Sequence, residues 1–166
     1  MQEVKISPPM MLEAQAKSQE LGKLRNSIVN GEGNLVGFVG EQVAHRVLGG
    51  QWNNSYDYDI ILEDGTTVDV KTKRTSVKPL PEYDCSVAAY NTKQKCDAYA
   101  FVRVLNDYSA GWYLGIINKT DYFDEAEFML KGTIDSTNGF RIRANCYNVK
   151  INKLRDTLGL EESKIH

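Results

Sequence analysis

Four residues in the first half of the chain have the types and the spacing of a metal-assisted hydrolytic site. Asp59 and Asp69 lie ten positions apart, Lys71 follows two positions later, and Glu41 precedes them. Oxygen ligands from two or three carboxylates suit Mg²⁺ or Mn²⁺, which keep waters in their remaining positions. A metal held in this way polarises a phosphoryl oxygen and lowers the pKa of a bound water, and a nearby lysine stabilises negative charge that develops on the phosphate. The set therefore predicts phosphodiester hydrolysis.

The segment from residue 56 to 74 predicts a β-hairpin that positions both aspartates. Polar and apolar residues alternate with the period of two that is typical of half-buried strands, and Glu63-Asp64-Gly65 supplies the turn. A two-residue turn would place Asp59 opposite Val70 and scatter the carboxylates over both faces. A three-residue loop with Gly65 left-handed places Asp59 opposite Asp69.

We favour the second register because it leaves one face of the hairpin continuously apolar, which a slip of one residue would destroy. Two carboxylates directly opposite each other repel unless a cation lies between them, which again predicts a divalent metal. The polar face then holds Asp57, Asp59, Asp69 and Lys71, and the apolar face holds Tyr58, Ile60, Leu62, Val68 and Val70.

Helical and strand patterns around the hairpin predict an α/β (α+β) domain, a mixed central sheet flanked by helices. All 166 residues are expected to form one domain, with an N-terminal helix over 10–29 packed on a core of 33–158. A second helix is predicted over Leu35–Leu48, with Asn34 as its N-cap and Gly49-Gly50 at its end. Further strands are predicted at 58–62, 68–73, 85–90, 97–105, 111–118 and 145–151, and further helices at 122–130 and 153–158.

The second helix is predicted to carry an acidic residue to the hairpin. Glu41 lies on the margin of its apolar face, and His45 follows one turn later, within reach of the same site. Gly37 and Gly40 lower the helix propensity, which indicates that another element packs closely against the helix.

Composition limits the class of protein. Hydrophobic residues make up 42% of the chain and charged residues 25%, as in soluble globular proteins. No apolar run approaches the roughly 18 residues that would cross a membrane, and the N-terminus lacks the pattern of a signal peptide. Three widely separated cysteines argue against a disulfide framework and predict a reducing, cytoplasmic location. A net charge of −2 neither requires nor excludes a nucleic-acid partner.

The arrangement of these motifs resembles the PD-(D/E)XK, or restriction-endonuclease-like, nuclease superfamily. The resemblance is carried by Asp59, a ten-residue gap, Asp69-Val70-Lys71 on a hairpin, and the helix opening Gly37–Glu41. It covers roughly residues 33–118. The members that the chain resembles are the small phage-type or resolvase-like nucleases. The chain departs from the motif at Tyr58, where the motif name has proline, and Asp57 competes for the role of the first aspartate.

The resemblance implies a restriction-endonuclease-like fold and a Mg²⁺-dependent deoxyribonuclease. Asp59 and Asp69 would bind the metal together with the main-chain carbonyl of Val70, and Glu41 would be an additional ligand or a water-mediated helper. Lys71 would assist the nucleophilic water, and cleavage would leave a 5′-phosphate and a 3′-hydroxyl. A homodimer is expected if both strands of a duplex are cut. Asp57 and His45 would support the site from just outside it.

Basic residues follow the motif and recur near the C-terminus. Contacts with DNA phosphates are one interpretation, and a solvated surface that balances the acidic segment 121–127 is an equally good one. The candidate DNA-binding residues are Lys73, Arg74, Lys78, Arg141 and Arg143.

Three other interpretations compete with the nuclease. The acids and Lys71 could form a solvated sheet face without chemistry. The chain could be a catalytically silent nucleic-acid-binding or scaffold protein on the same fold. It could also be a metal-free small-molecule or interaction domain, which predicts a hairpin register with Asp59 and Asp69 on opposite faces. The residues do not decide whether the substrate is DNA or RNA, or whether the enzyme is an endonuclease or an exonuclease.

Overall fold

The computed structural model describes residues 1–25, 32–53 and 55–158. Three α-helices lie in these ranges: α1 (Pro8–Arg25), α2 (Glu32–Leu48) and α3 (Lys119–Glu125). The strands are β1 (Gln2–Lys5), β2 (Gln51–Trp52), β3 (Ile60–Ile61), β4 (Thr67–Thr75), β5 (Asp84–Ala88), β6 (Ala98–Leu105), β7 (Ala110–Asn118), β8 (Glu127–Met129) and β9 (Cys146–Lys150). None of the described helices combines the length and the apolar character needed to cross a membrane.

Six of the described strands form a mixed main sheet in the order β1-β7-β6-β4-β3-β2. The β4–β6 pair is parallel, and the other neighbours are antiparallel. A separate antiparallel sheet has the order β5-β9-β8. The α+β class with a mixed sheet and flanking helices is therefore confirmed.

The two faces of the main sheet are covered by different elements, because successive side chains of each strand point to opposite faces. On one face α2 packs on the sheet and α1 packs on α2, and Val39 and Val43 are buried in one cluster with Val68. On the other face the small sheet and α3 bury Tyr99 and Tyr122. The Tyr122 hydroxyl donates to the main-chain oxygens of Cys85 at 2.9 Å and Tyr147 at 2.7 Å, so α3 is tied to the small sheet.

Close packing of α2 on β4 depends on one glycine. A Cβ at Gly40 would lie 1.8 Å from Thr72 Oγ1, whereas a Cβ at Gly37 would meet nothing within 4 Å. The expected close contact is therefore present at Gly40, and the same expectation is wrong for Gly37. This contact holds the helix that carries Glu41 directly against the strand that carries Asp69.

Gly40→Ala is expected to lower the free energy of unfolding by about 1–3 kcal/mol, because the added methyl group must displace Thr72. The matched variant Gly37→Ala adds the same group to the same helix without a clash. It should raise stability by about 0.5–1 kcal/mol through the higher helix propensity of alanine. Thermal and urea denaturation of both variants measure the difference. Equal stability of the two would contradict the packing described.

Several element boundaries differ from those predicted. The first helix begins at Pro8 and is described to Arg25, and the predicted continuation over 26–29 lies outside the described residues. The second helix begins at Glu32, so Asn34 lies inside it and the predicted N-cap is wrong. Its predicted end at Leu48 is confirmed. The strands β1 and β2 were not predicted, because each is short and is defined by its pairing partner.

The C-terminal third contains the largest errors. The helix predicted over 122–130 is instead α3, which ends at Glu125, followed by β8, which pairs with β9. The strand predicted at 85–90 is present as β5, but it belongs to the small sheet.

The helix predicted over 153–158 is also wrong. Arg155 forms an isolated bridge with Ile116, and the two residues exchange main-chain hydrogen bonds of 2.7 and 2.9 Å. The approach is close because Gly115 lacks a side chain and has φ of 140°. A Cβ there would lie 2.7 Å from the Leu154 Cβ. Tertiary pairing with β7 thus replaces the predicted local hydrogen bonds of a helix.

Candidate active site

The hairpin has the register that gathers the acids. Ile60 pairs with Val68 and Ile61 with Thr67, and the same register places Asp59 opposite Asp69. The Asp59 amide donates to the Val68 carbonyl at 2.9 Å, which extends the pairing to that position. The loop has three residues between Leu62 and Thr66, and Gly65 has φ of 88°. The predicted register is therefore confirmed, and the opposite-face arrangement expected of a metal-free interaction domain is absent from this hairpin.

One residue of the predicted apolar face lies elsewhere. Tyr58 packs against the cluster that contains Tyr99, whereas Ile60 and Val68 belong to the cluster under α2. The β3 strand is only two residues long, so the alternation does not extend back to Tyr58. The prediction for that position is wrong.

Three buried carboxyl groups lie near the position where β3 and β4 pair. Glu41, Asp59 and Asp69 have exposed fractions of 7%, 8% and 4%, so this is a buried cluster and not a solvated sheet face. The Asp59 carboxyl is near enough to the other two for its protonation to be coupled to both of them. Asp59 Oδ2 also accepts a hydrogen bond of 2.8 Å from the Val70 amide. Three separate segments of the chain thus deliver acids to one buried position.

The electrostatics of the cluster follow from this burial. Burial, together with the neighbouring Glu41 and Asp69 charges, raises the pKa of Asp59 to about 9. Burial also raises the pKa of Glu41 to about 7, against the opposing hydrogen bond from Trp52. Burial raises the pKa of Asp69 as well, whereas the neighbouring Lys71 charge acts to lower it. Without a further cation the cluster cannot hold three ionised carboxylates at low cost.

Lys71 supplies one cation. Its Nζ lies 2.8 Å from Asp69 Oδ2 and donates to Gln94 Oε1 at 2.9 Å. Gln94 is buried, and its Nε2 donates to the Tyr56 carbonyl at 2.8 Å and to Asp69 Oδ1 at 3.4 Å. Lys119 Nζ donates to the main-chain oxygen of Gln94. Gln94 therefore fixes the positions of both Lys71 and Asp69.

Sequence reasoning missed Gln94, because the residue lies in a connection between two strands where polar residues are ordinary. The loop that carries Gln94 contacts Asp57, which is one of the residues predicted from the sequence. Asp57 Oδ1 accepts a hydrogen bond of 3.0 Å from the Lys95 amide. Asp57 therefore anchors the loop that carries Gln94, which is a supporting role outside the acidic cluster.

Trp52 is the second residue that sequence reasoning missed. Its Nε1 donates to Glu41 Oε1 at 2.9 Å, which orients the carboxylate at the margin of α2. Lys17 of α1 lies 3.5 Å from the centre of the indole ring as a cation–π contact. His45 stacks on the same ring at 6.4 Å, and its Nε2 lies 2.9 Å from the Gly50 carbonyl oxygen. His45 is thus linked to the carboxylates through Trp52.

The predicted DNA-binding residues separate into two groups. Lys73 and Arg143 line a cleft that begins at Lys71. Arg74 donates to the Asn106 carbonyl at 3.3 Å, and Arg141 donates to the Gly132 carbonyl at 3.0 Å. Lys78 is exposed on the connection that follows β4. Only the first group shares this cleft with Lys71.

The donor atoms fit a hard divalent cation. Asp59 and Asp69 offer carboxylate oxygens. The N–H and C=O of one strand residue point to the same edge, so the Val70 carbonyl faces Asp59 as its amide does. Within the described ranges, no group of three or more His, Cys, Asp or Glu side chains is arranged so that it could hold a metal ion. Mg²⁺ does not require one, since it is usually held by one or two carboxylates and keeps several waters.

The chain therefore combines an α+β fold with a buried cluster of three carboxyl groups and one lysine near the β3–β4 pair. A comparison with protein-family models finds no match to this chain, and a search of curated proteins finds none. Strongly perturbed carboxyl groups held by specific partners are typical of functional sites, although structural clusters also produce them.

Proposed function

We propose that the protein is a metal-dependent nuclease that hydrolyses phosphodiester bonds of DNA at Glu41, Asp59, Asp69 and Lys71. The observation that carries the proposal is the meeting of three buried carboxyl groups with one lysine ammonium. Gathering like charges in a buried position costs free energy that folding alone would not favour. A site that binds a divalent cation and a phosphate accounts for that arrangement.

The fold supports the same class. The helix that carries Glu41 packs on β4, and β4 carries both Asp69 and Lys71 on the strand after the hairpin turn. This is the order of elements that the resemblance to the PD-(D/E)XK superfamily implies. We infer that the main sheet with α1 and α2 is a variant of the restriction-endonuclease-like fold, to which the small sheet is added.

Each residue has a defined role in this proposal. Asp59, Asp69 and the Val70 carbonyl would hold Mg²⁺ or Mn²⁺, and Glu41, oriented by Trp52, would bind through a water molecule. When bound, the metal supplies Lewis-acid activation of the phosphate and of a nucleophilic water. Lys71, oriented by Gln94, places a positive charge where negative charge develops on the phosphate.

The proposal is tested by cleavage of labelled duplex, single-stranded and branched DNA in Mg²⁺, Mn²⁺ or EDTA. The wild-type protein should cut in either metal and not in EDTA. Asp69→Asn, which keeps the shape of the side chain, should be inactive in all three. Cleavage that persists in EDTA or in purified Asp69→Asn would refute the proposed site. DNA binding without any cleavage would favour the catalytically silent binder.

Gln94→Ala is expected to lower kcat by about 10- to 100-fold, the range typical of residues that orient groups in metal sites. The reason is that Lys71 Nζ and Asp69 Oδ1 both lose a hydrogen-bond partner. Single-turnover rates at saturating metal measure the effect. Gln51→Ala, at an exposed glutamine of β2, is the matched control and should cleave at the wild-type rate. An unchanged rate in Gln94→Ala would remove the positioning role.

A further inference from the structure

A cleft of about 1000 Å³ opens beside Lys71, between the main sheet and the small sheet. Its floor is formed by β4 and β6, which contribute Lys71, Lys73 and Arg103, and one wall is formed by β5 and β9. Residues 135–143 close a third side. The cleft is therefore continuous with the proposed catalytic lysine, but most of its surface takes no part in the acidic cluster.

Two cations lie side by side on the floor. Lys73 and Arg103 are register partners on the parallel strands β4 and β6. Like charges at such positions repel each other, and burial together with Arg103 lowers the pKa of Lys73. Within the described ranges neither side chain forms an ion pair with a carboxylate. Such a pair is stable when an anion binds between its members.

Of the three acids that line the cleft, Asp84 and Asp135 are already engaged, and the third is the exposed Glu82. The Asp84 carboxylate lies 2.8 Å from Lys150 Nζ, and its main-chain oxygen accepts from Arg103 at 2.8 Å. Asp135 accepts hydrogen bonds of 2.9 and 2.6 Å from Thr137 within its own turn. Arg103 is largely buried and its guanidinium lies 5.3 Å from the centre of the Tyr83 ring. Within the described ranges, the charges of Lys73 and Arg103 thus remain without a carboxylate partner, which favours an anionic ligand.

An exposed aromatic ring completes the cleft. Phe140 is 46% exposed, so its ring is accessible to a ligand. Its ring centre lies 5.8 Å from Lys73 Nζ and 5.6 Å from the Arg143 guanidinium. A flat apolar ring between two cations matches the alternation of base and phosphate along a nucleic-acid strand.

We propose that the cleft binds a single-stranded segment of DNA, with phosphates on Lys73, Arg103 and Arg143 and an unpaired base on Phe140. The inference rests on the proposed nuclease function and defines its substrate as a single strand or a frayed end, which continues past Lys71 to the carboxylates. The cleft volume of about 1000 Å³ is that of a pocket for one small ligand, which favours an unpaired segment over the bulkier duplex. Only an unpaired base exposes a face that can stack on the ring.

The test is fluorescence anisotropy of a labelled oligothymidylate and of a duplex, in EDTA so that no cleavage occurs. Phe140→Ala should weaken single-strand binding by about 10-fold or more, since stacking of one base contributes that much. Phe128→Ala is the matched control, because Phe128 is 48% exposed but lies outside the cleft. The double variant Lys73→Gln/Arg143→Gln should reduce the dependence of binding on salt, as expected when two phosphate contacts are lost.

Three outcomes would overturn the inference: duplex binding as tight as single-strand binding, Phe140→Ala that binds as the wild type does, or full competition by free thymidine monophosphate or inorganic phosphate. The last would assign the cleft to a mononucleotide or a phosphate ion instead.

Because binding is measured without metal, the two proposals can fail separately. Single-strand binding through the cleft without cleavage in Mg²⁺ would remove only the nuclease. Duplex cleavage that is unaffected in Phe140→Ala would remove only the single-strand cleft.

Discussion

Replacing Lys71 by methionine is expected to lower the rate of metal-dependent DNA cleavage by at least about 100-fold, the usual effect of losing one group that stabilises transition-state charge. Methionine keeps the apolar stem of the side chain and removes only the ammonium, which lies 2.8 Å from Asp69 and 2.9 Å from Gln94. Substrate binding should change much less, because Lys73 and Arg143 remain. Single-turnover cleavage and anisotropy on the same preparations separate the two effects.

The control for this variant is Lys5→Met. Lys5 is exposed on β1, at the edge of the main sheet opposite to β2 and β3, so its loss changes net charge by the same amount without touching the site. It should cleave at the wild-type rate. Since Lys71→Met also removes the cation beside Asp69, circular dichroism and a thermal scan must show a folded protein. A folded Lys71→Met that cleaves within a few-fold of the wild type would remove Lys71 from the mechanism.

The part of the site that could be predicted from the sequence is the part governed by local rules. The loop Glu63–Gly65 sets the hairpin register, and the register alone brings Asp59 opposite Asp69. The helix carrying Glu41 could be predicted because its apolar spacing extends over more than three turns. These signals need no knowledge of distant partners.

The rest of the site depends on contacts between segments that are far apart in the chain. Gln94 reaches Lys71 only because the connection after β5 folds back over the hairpin, and Trp52 reaches Glu41 only because β2 is added at the sheet edge. Neither short segment has a periodicity of its own. The same reason explains the error at β8, whose three residues are a strand because β9 lies beside them.

The cleft shows the same limit most clearly. The sequence predicts that Lys73 binds DNA because of its position after the motif. Its neighbour in the sheet, Arg103, lies 30 residues later in the sequence. Their adjacency follows from the parallel β4–β6 pairing, which no local pattern specifies. Because β5 belongs to the small sheet and not to the main sheet, a cleft remains above Lys73 and Arg103.

Asp59→Asn is expected to abolish cleavage and at the same time to stabilise the metal-free protein. Asp59 is 8% exposed, its protonation is coupled to two neighbouring carboxyl groups, and it forms no ion pair within the described ranges, where Lys71 pairs with Asp69. At pH 8 the folded chain must keep this carboxyl protonated while the unfolded chain ionises it. Asparagine removes that cost, so the free energy of unfolding should rise by about 1–4 kcal/mol. The melting temperature should then rise by about 2–4 °C for each kcal/mol.

The pH dependence of stability provides a second measurement. Below pH about 4, the Asp59 carboxyl is protonated in both the folded and the unfolded chain and has no effect. Between that value and the folded pKa of about 9, only the unfolded chain has lost its proton. The free energy of unfolding therefore falls as the pH rises through this range. Thermal scans in EDTA from pH 5 to 9 should show a steeper decline for the wild type than for Asp59→Asn.

Addition of Mg²⁺ should reverse the order of the two proteins. The wild type gains stability in proportion to the logarithm of metal concentration above the dissociation constant, whereas Asp59→Asn lacks a ligand and should gain little. Asp124→Asn, at an exposed position of α3, is the matched control and should follow the wild type in both conditions. A variant less stable than the wild type in EDTA at pH 8 would mean that Asp59 serves the fold and not a cation. The proposed site lowers the stability of the metal-free protein and raises it when the ion binds. This behaviour is expected where selection has acted on catalysis and not on folding.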